Sequence, residues 1–586
     1  MKKKLLIIIS TFCLILVLFV CLYIQSDYNL IFKDKDMYTL NVSYDKVQDA
    51  INDEINGYIL DRSISFKSPK VILDPYNNSP LSAIIIFSTD KITGIKLYVN
   101  DVFMTNVEKS LSHVIPVYGL RENYNNKVTL IDDFNNKNDV YIKTAKITDD
   151  NFYEYSTTNE SNEYLFVNSP SGKYVIDNEG YISWYGDISS LDIDINSDKK
   201  IYFIDERSRI IERDYMGKIS RTYYNDRYSY SSHRITKTNN EFIILIDYSN
   251  VILFVDYNNG KILNRISLAE IFKSIDNNFD LSDELFYVNY FDYDEKNNTI
   301  LISIRGLHTI VNYDLNTNEI SWIFTNNEIF SSKFDKYKIN LVSGKYFYGQ
   351  HTPILIGNLL YVFNNNNFYV EEKNDTSSAL IYEINGMNAR EVYSYDSKYI
   401  SMWYGSFYQK NDIKNINFGR INNGDNPDYS VVLDIDKNNN IISKFKSDYL
   451  IYESFRDSFY DDVTPNYNVV DRGITIVNDK YLNKFKLKYV NYNLIDELKN
   501  AIKDETLVEL LDDRFELNIA TTENIELFFI GSKYKFYNID IDFTNKFTNQ
   551  WQNDINNFLL QVEGKYAIYL KIGKKYYDTN LVVNVY

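Results

Sequence analysis

Between about residues 165 and 460 the chain repeats one pattern: an apolar strand, a second strand, a turn rich in Asp, Asn or Gly, and a strand that begins with Ile. "GKYVIDNEGYISWYGD", "KIYFIDERSRIIERDYMGKISRTYY" and "EFIILIDYSNVILFVDYNNGKILNRISL" open the series. "NTILISIRGLHTIVNYDLNTNEISWIFT" follows, then "NLLYVFNNNN" leading to "SALIYEINGMNAREVYSYD", and "YSVVLDIDKNNNIISKFKSD" completes six units. A meander cannot bury its apolar face alone, so repeated copies stack around an axis. The pattern therefore predicts a mainly β protein with a six-bladed β-propeller over residues 151–464. The units lie roughly 25 to 85 residues apart, which implies long loops on one face, where function is expected to sit.

A chain of 586 residues exceeds what one core serves, so further domains flank the propeller. Short alternating runs such as "KVILD", "SAIIIFSTD", "GIKLYVND" and "KVTLIDD" predict an N-terminal β-sandwich over residues 27–150, preceded by an amphipathic helix from about Tyr38 to Ile55. Beyond residue 464 the repeat breaks. Leu494, Ile495, Leu498, Ile502 and Leu510 recur at helical spacing, and later strands such as "NIELFFIG" predict a C-terminal α+β appendage over residues 465–586. The 54 Tyr and 35 Phe against 8 Pro favour strands, although AT-rich codon usage accounts for the abundance of Tyr and Asn equally well.

Residues 1–26 read as a signal anchor. Lys2–Lys4 precede an apolar run from Leu5 to Ile24, which as a helix spans about 30 Å of hydrocarbon. The positive end stays inside and the bulk of the chain is expected outside the cell membrane; a cleaved and secreted form is the second choice. Both cysteines, Cys13 and Cys21, lie in this segment, so the expected extracytoplasmic portion carries neither disulfides nor thiolate metal sites. The net charge of −18 opposes a nucleic-acid partner.

Three stretches imitate a calcium loop, starting at Asp192, Asp292 and Asp434. The position of the bidentate Glu holds Phe203, Ser303 and Phe445, so no metal is expected and Asp and Asn serve the turns. No phosphate loop and no nucleophile elbow occur, and no cofactor is implied. What remains is a set of scattered polar residues at strand ends of successive units: His233, Asn289, Arg305 and His351, drawn from a chain with only four histidines. A charged fork with directional donors suits a tetrahedral oxyanion. His113 and His308 read as structural.

These stretches together resemble the bacterial aryl-sulfate sulfotransferase family. "DPYNNSPLSAIIIFSTD" and "HVIPVYGLRENYNNKVTL" resemble its N-terminal domain. "VNYFDYDEKNNTILISIRGLHTIVNYDLNTNEISWIF" resembles its fourth blade, "YGQHTPILIGNLLYVFNNNN" its nucleophile segment, and "LIYESFRDSFY" the closing strand of the propeller. The resemblance covers about residues 40 to 460. It implies transfer of a sulfuryl group from a phenolic sulfate ester to a phenolic acceptor, through a sulfo-histidine and without a nucleotide donor. His351 would be the nucleophile, Arg305 and Asn289 would hold the sulfuryl oxygens, and His233 would donate a hydrogen bond or shuttle a proton. Two departures stand out. Tyr287 occupies the place of a sulfate-binding His in the family, and Ser232 and Arg234 flank His233 where a second His and an acid are usual. Arg234 either restores positive charge or faces solvent. A non-catalytic cell-surface binding propeller derived from the family is the alternative reading, a different hydrolase or lyase is a more distant one, and the oligomeric state stays open, a homodimer included.

Overall fold

The computed structural model describes residues 35–40, 44–147, 153–158, 163–188, 193–195, 199–205, 210–223, 232–246, 250–258, 260–279, 286–366, 376–421, 428–469, 474–476, 486–488, 492–510, 515–517, 519, 523–531, 535–541 and 564–585. The signal anchor expected over residues 1–26 lies outside them. Among the described residues no helix is long and apolar enough to cross a membrane.

The protein is mainly β, a propeller with an N-terminal β domain. Among the described residues six sheets each hold four antiparallel strands of the repeat. Blade two runs through Ile193–Ile195, Lys200–Ile204, Ile210–Asp214 and Ile219–Tyr223; blade three through Ser232–Lys237, Glu241–Ile246, Val251–Asp256 and Ile262–Ser267. Blade four holds Val288–Asp294, Thr299–Ile304, Thr309–Asp314 and Glu319–Phe324. Blade five holds His351–Ile356, Leu359–Asn364, Ser378–Asn385 and Asn388–Asp396, and blade six Ser406–Lys410, Ile413–Ile421, Tyr429–Ile435 and Ile441–Ser447. Blade one is the exception. Its strands Tyr164–Ser169, Gly172–Ile176 and Ile182–Gly186 take their fourth partner from Glu453–Asp457, which pairs with Tyr164–Asn168. The end of the propeller thus zips onto its beginning, at the segment "LIYESFRDSFY" where the resemblance implies a closing strand.

First strands of consecutive blades lie against one another from blade two to blade six, and blade six meets the closing strand. Their middle strands are buried almost throughout, as in Glu241–Ile246 and Leu359–Asn364. The apolar clusters lie between neighbouring sheets. One joins Leu301, Ile310 and Phe324 of blade four to Leu360, Val362 and Leu380 of blade five. Because every sheet buries both faces against its neighbours, the strands read as continuous apolar runs rather than clean alternations.

The flanking regions differ from the expectations in three places. The predicted helix from Tyr38 gives way to a strand, Asp36–Leu40, and the helix spans Tyr44–Leu60. That strand pairs in parallel with Leu581–Val585, so it belongs to the C-terminal sheet and not to the N-terminal domain; an open edge with unpaired backbone groups outcompetes a marginal helical turn. The Gln48 side chain accepts from Ile219 N and donates to Ile219 O, which ties the helix to blade two. In the N-terminal sheet, the two runs expected as separate strands form one long strand, Ala83–Val99, irregular between Ser88 and Ile95. At the other end, the helical pattern through Leu510 stops at Lys499. Ile502–Lys503 instead pairs with Tyr577–Asp578, and Val508–Leu510 with Phe515–Leu517.

Candidate active site

In each antiparallel blade the start of the first strand and the end of the second strand lie at the same face. The candidate residues occupy these places. His233 sits near the start of blade three, Tyr287 and Asn289 at the start of blade four, Arg305 just beyond its second strand, and His351 at the start of blade five. Three residues not singled out in the sequence join them: Asn365 just beyond the second strand of blade five, Tyr404 before blade six and Tyr452 before the closing strand.

His351 is buried and its ring is oriented by a specific chain of bonds. Nδ1 lies 2.7 Å from Asn365 Oδ1 and 3.2 Å from Gly349 O. The Asn365 amide cannot turn over, because its Nδ2 donates to Ser401 O at 3.0 Å and to Tyr404 O at 2.8 Å. Its oxygen therefore faces His351 as an acceptor, Nδ1 carries the proton, and Nε2 holds the lone pair. Burial, then the positive charge of Arg305, pushes the His351 imidazole down to about 3, with His233 adding to the effect. The ring is neutral throughout the physiological range.

The segment that carries His351 is fastened to blade four. Gln350 Nε2 lies within hydrogen-bond reach of Ser303 Oγ, Ile304 O and Thr309 O. Asn289 Nδ2 donates to Gln350 O at 2.9 Å, and Gly349 N donates to His308 Nδ1 at 3.0 Å. His308, read as structural, is a support one residue removed from the nucleophile candidate. Thr352 holds φ at +44° and Tyr404 at +63°, a region that β-branched and bulky side chains avoid. Such outliers persist only where the surroundings hold them. Gly405 follows at φ +129°, and a Cβ there would meet the Phe363 ring at 2.2 Å.

Around His351 stand the other candidates. Arg305 is buried, and burial lowers its guanidinium to about 10, so it remains charged at neutral pH. One of its terminal nitrogens donates to Met402 O at 3.4 Å. Tyr287 Oη lies 2.5 Å from His233 Nε2, and the two rings meet edge to face at 5.3 Å. The Tyr452 ring lies 6.4 Å from that of His351 and 6.3 Å from that of His233, and its hydroxyl donates to Asn289 O. Together these contacts bring His233, Tyr287, Asn289, Arg305 and His351 around one centre. Arg234 is not part of it, nor does it face solvent freely. Its guanidinium pairs with Glu453 at 3.1 Å and lies 4.6 Å from the Tyr290 ring centre.

A cavity of about 410 Å³ lies elsewhere, lined by Tyr408, Lys410, Phe455, Asp457 and Arg234. Lys410 and Asp457 are the last residues of their strands, and Tyr408 and Phe455 lie two residues before them. The chemistry argues for the His351 face over this cavity, because Lys410 and Arg234 there are already neutralised by Glu163, Asp457 and Glu453. Sequence reasoning passed over Asn365 because it stands in the run Asn364–Asn367, which reads as turn composition, and Tyr404 and Tyr452 because 54 tyrosines give none of them distinction.

The family model for arylsulfotransferase (ASST) matches residues 137–449, and that for the arylsulfotransferase Ig-like domain matches residues 70–150. No curated protein sequence matches the chain. Among solved structures, virginiamycin B lyase from Staphylococcus aureus is 12% identical, with 62% of this chain and 99% of that chain covered and a TM-score of 0.29. A putative 6-phosphogluconolactonase from Bacteroides fragilis is 9% identical over 66% and 97% of the two chains, with a TM-score of 0.31. BamB from Moraxella catarrhalis is 10% identical over 50% and 89%, with a TM-score of 0.27. Likenesses at these scores carry no functional argument.

Proposed function

The chain belongs to the arylsulfotransferase family, and from that premise we propose that it moves a sulfuryl group from a phenolic sulfate ester to a phenol by way of His351, with no nucleotide donor. The observation that carries the reading is the bond from His351 Nδ1–H to an Asn365 amide that cannot turn over. It leaves Nε2 as a neutral nucleophile pointing away from its anchor.

In the first half-reaction Nε2 attacks sulfur, an N–S bond forms, and the S–O bond to the aryl group breaks with its electron pair on the phenolate. In the second, another phenol gives its proton to the group that protonated the first phenolate, its oxygen attacks sulfur, the N–S bond breaks, and His351 regains its lone pair. Sulfuryl transfer, like phosphoryl transfer, spreads charge over equatorial oxygens, so positioning and electrostatics supply most of the catalysis. Arg305 meets that charge. Asn289 spends one amide proton on Gln350 O and offers the second to a sulfuryl oxygen. His233 is a further donor or carries a proton to the phenolate. Burial of Arg305 strengthens its hold on the oxygens, because few waters compete for it.

The test is incubation of the full chain, in detergent, with an aryl sulfate in the presence and absence of added phenol. Phenol release that accelerates with acceptor, together with a labelled sulfo-enzyme on a short time scale, is expected. Tyr287, in the place of a family His, favours a second reading, a cell-surface propeller that binds aryl sulfates without turnover; binding with no release would establish that one. We also propose that Leu5–Ile24 anchors the chain in the cell membrane with the bulk outside, since Lys2–Lys4 hold the inner end. Protection of the propeller from protease added to intact cells would refute this.

A further inference from the structure

We propose that Tyr287 is the group that gives the proton to the departing phenolate and takes it from the incoming phenol, with His233 as its positioning partner. This rests on the sulfuryl-transfer reading and goes beyond it in placing the travelling proton on a tyrosine.

Three observations converge. Tyr287 Oη is 2.5 Å from His233 Nε2, a short contact between half-buried rings set at 89° to one another. The Tyr287 carbonyl accepts from Arg305 N at 2.8 Å, so the backbone of blade four holds the tyrosine beside the arginine. The Arg305 guanidinium in turn feels the Tyr287 phenol electrostatically, as does His351 the charges of Arg305 and His233. The hydroxyl thus touches an imidazole, and its residue is bonded through the backbone to the one that carries the buried cation, within the same cluster as the proposed nucleophile.

The chemistry of the substrates decides what such a hydroxyl does. Both the leaving group and the acceptor are phenols, and a tyrosine side chain is itself a phenol of about the same acidity, near pKa 10. Proton exchange between a tyrosine hydroxyl and either substrate is a transfer between phenols, which suits a reaction that must run the proton out and back. An imidazolium would give its proton readily but would recover it poorly from a neutral phenol.

The atoms balance as follows. With His233 protonated on Nε2, that N–H donates to Tyr287 Oη and directs the Tyr287 O–H at the bridging oxygen of the ester. As His351 Nε2 forms its bond to sulfur and the S–O bond breaks, the Tyr287 proton passes to the phenolate. A neutral phenol leaves, and a tyrosinate remains, held by His233 Nε2–H and the charge of Arg305. The acceptor phenol then gives its proton to that tyrosinate, and its oxygen attacks sulfur as the N–S bond breaks. Enzyme and proton count return to the start.

The test compares two donors in the first half-reaction, phenyl sulfate, whose phenolate leaves poorly unless protonated, and 4-nitrophenyl sulfate, whose phenolate leaves well without help. Tyr287→Phe deletes only the hydroxyl. It is expected to slow phenyl sulfate by about 10²-fold or more, the usual worth of a general acid, and 4-nitrophenyl sulfate by less than tenfold. His233→Ala should steepen the same contrast, whereas His233→Gln, which still donates to Tyr287 Oη, should keep the wild-type contrast; this pair decides the matter even if Tyr287→Phe does not fold. Equal losses on both donors, or no steepening in His233→Ala, would overturn the proton role while leaving sulfuryl transfer intact. Wild-type protein that releases phenol from neither donor would overturn both.

Discussion

The seam between blades four and five and the sheet of the N-terminal domain each bury one imidazole. In both, burial is the main cause that drives the ring towards its neutral form, His351 down to about 3 and His113 down to about 4. There the likeness stops. His351 Nδ1 is tied to Asn365, which is itself tied to two carbonyls, so Nε2 keeps the lone pair while the charge of Arg305 acts on the ring. His113 stacks on Phe87 at 4.9 Å, and neither of its nitrogens has a hydrogen-bond partner in good geometry, only the nearby Ser110 backbone and then the Glu108 charge opposing the effect of burial. Burial makes an imidazole neutral. Only directed bonds fix which nitrogen keeps the lone pair that the proposed attack requires.

The comparison breaks most easily at His351 itself. His351→Asn keeps a polar side chain of similar size but removes the attacking nitrogen, so kcat should fall on the order of 10⁴-fold or more. Thermal stability should change little by comparison. A variant that retains wild-type turnover, or still accumulates labelled sulfo-enzyme, would mean that the two buried histidines differ in nothing that matters to chemistry. One step out, Asn365→Leu leaves the nucleophile in place but lets its proton settle on either nitrogen. Loss of an orienting partner typically costs on the order of 10²-fold, and it should appear in kcat rather than KM when single-turnover rates are normalised to folded protein. An equal effect on KM would assign Asn365 to binding.

What the sequence made legible follows from how far each signal reaches. Blade strands announce themselves because each carries its own apolar run, and His351 stands out because the chain holds only four histidines. Asp36–Leu40 could not be read as a strand, since its partner Leu581–Val585 lies at the other end of the chain and leaves no local trace. Asn365 suffers the opposite problem: its neighbours in Asn364–Asn367 share its identity, so nothing in the sequence sets apart the one whose amide is pinned. The Gln350 clamp onto Ser303 and Thr309 joins two blades, a contact that no period within one blade encodes.

The N-terminal side of the comparison is sharpened by acid. His113 titrates at its ordinary 6.5 when unfolded but only near 4 when folded. As pH falls through that window the unfolded chain binds a proton that the folded sheet refuses, so the stability is complete above 6.5 and is lost on acidification. The slope approaches about 1.4 kcal/mol per pH unit, or about 2 kcal/mol between pH 7 and pH 5. His113→Phe preserves the stack on Phe87 and removes the proton, so urea unfolding of this domain at the two pH values should differ less than in wild type by that amount. Turnover should be unaffected. An unchanged pH response would show that His113 reaches solvent when folded.

The smallest effect tests the backbone that carries each histidine. Thr352, next to His351, holds φ at +44°, where a Cβ crowds the following carbonyl at a cost of about 1–2 kcal/mol. Ser112, next to His113, pairs with Ser88 in the strand Val102–Val117 and is not among the positive-φ residues. In a regular strand Gly is less stable than Ala by about 0.5–1 kcal/mol, because the unfolded glycine has more freedom to lose. Ser112→Gly should therefore melt below Ser112→Ala. At Thr352 both substitutions lose the hydroxyl that reaches Gly405 O, but only Gly escapes the crowding, so the order should invert and Thr352→Gly should melt above Thr352→Ala by about 1 kcal/mol. The same relief frees the backbone that aims the imidazole, so the more stable of the two variants is expected to be the slower transferase. If Ala is the more stable at both positions, Thr352 is not strained and the seam is held by its hydrogen bonds alone.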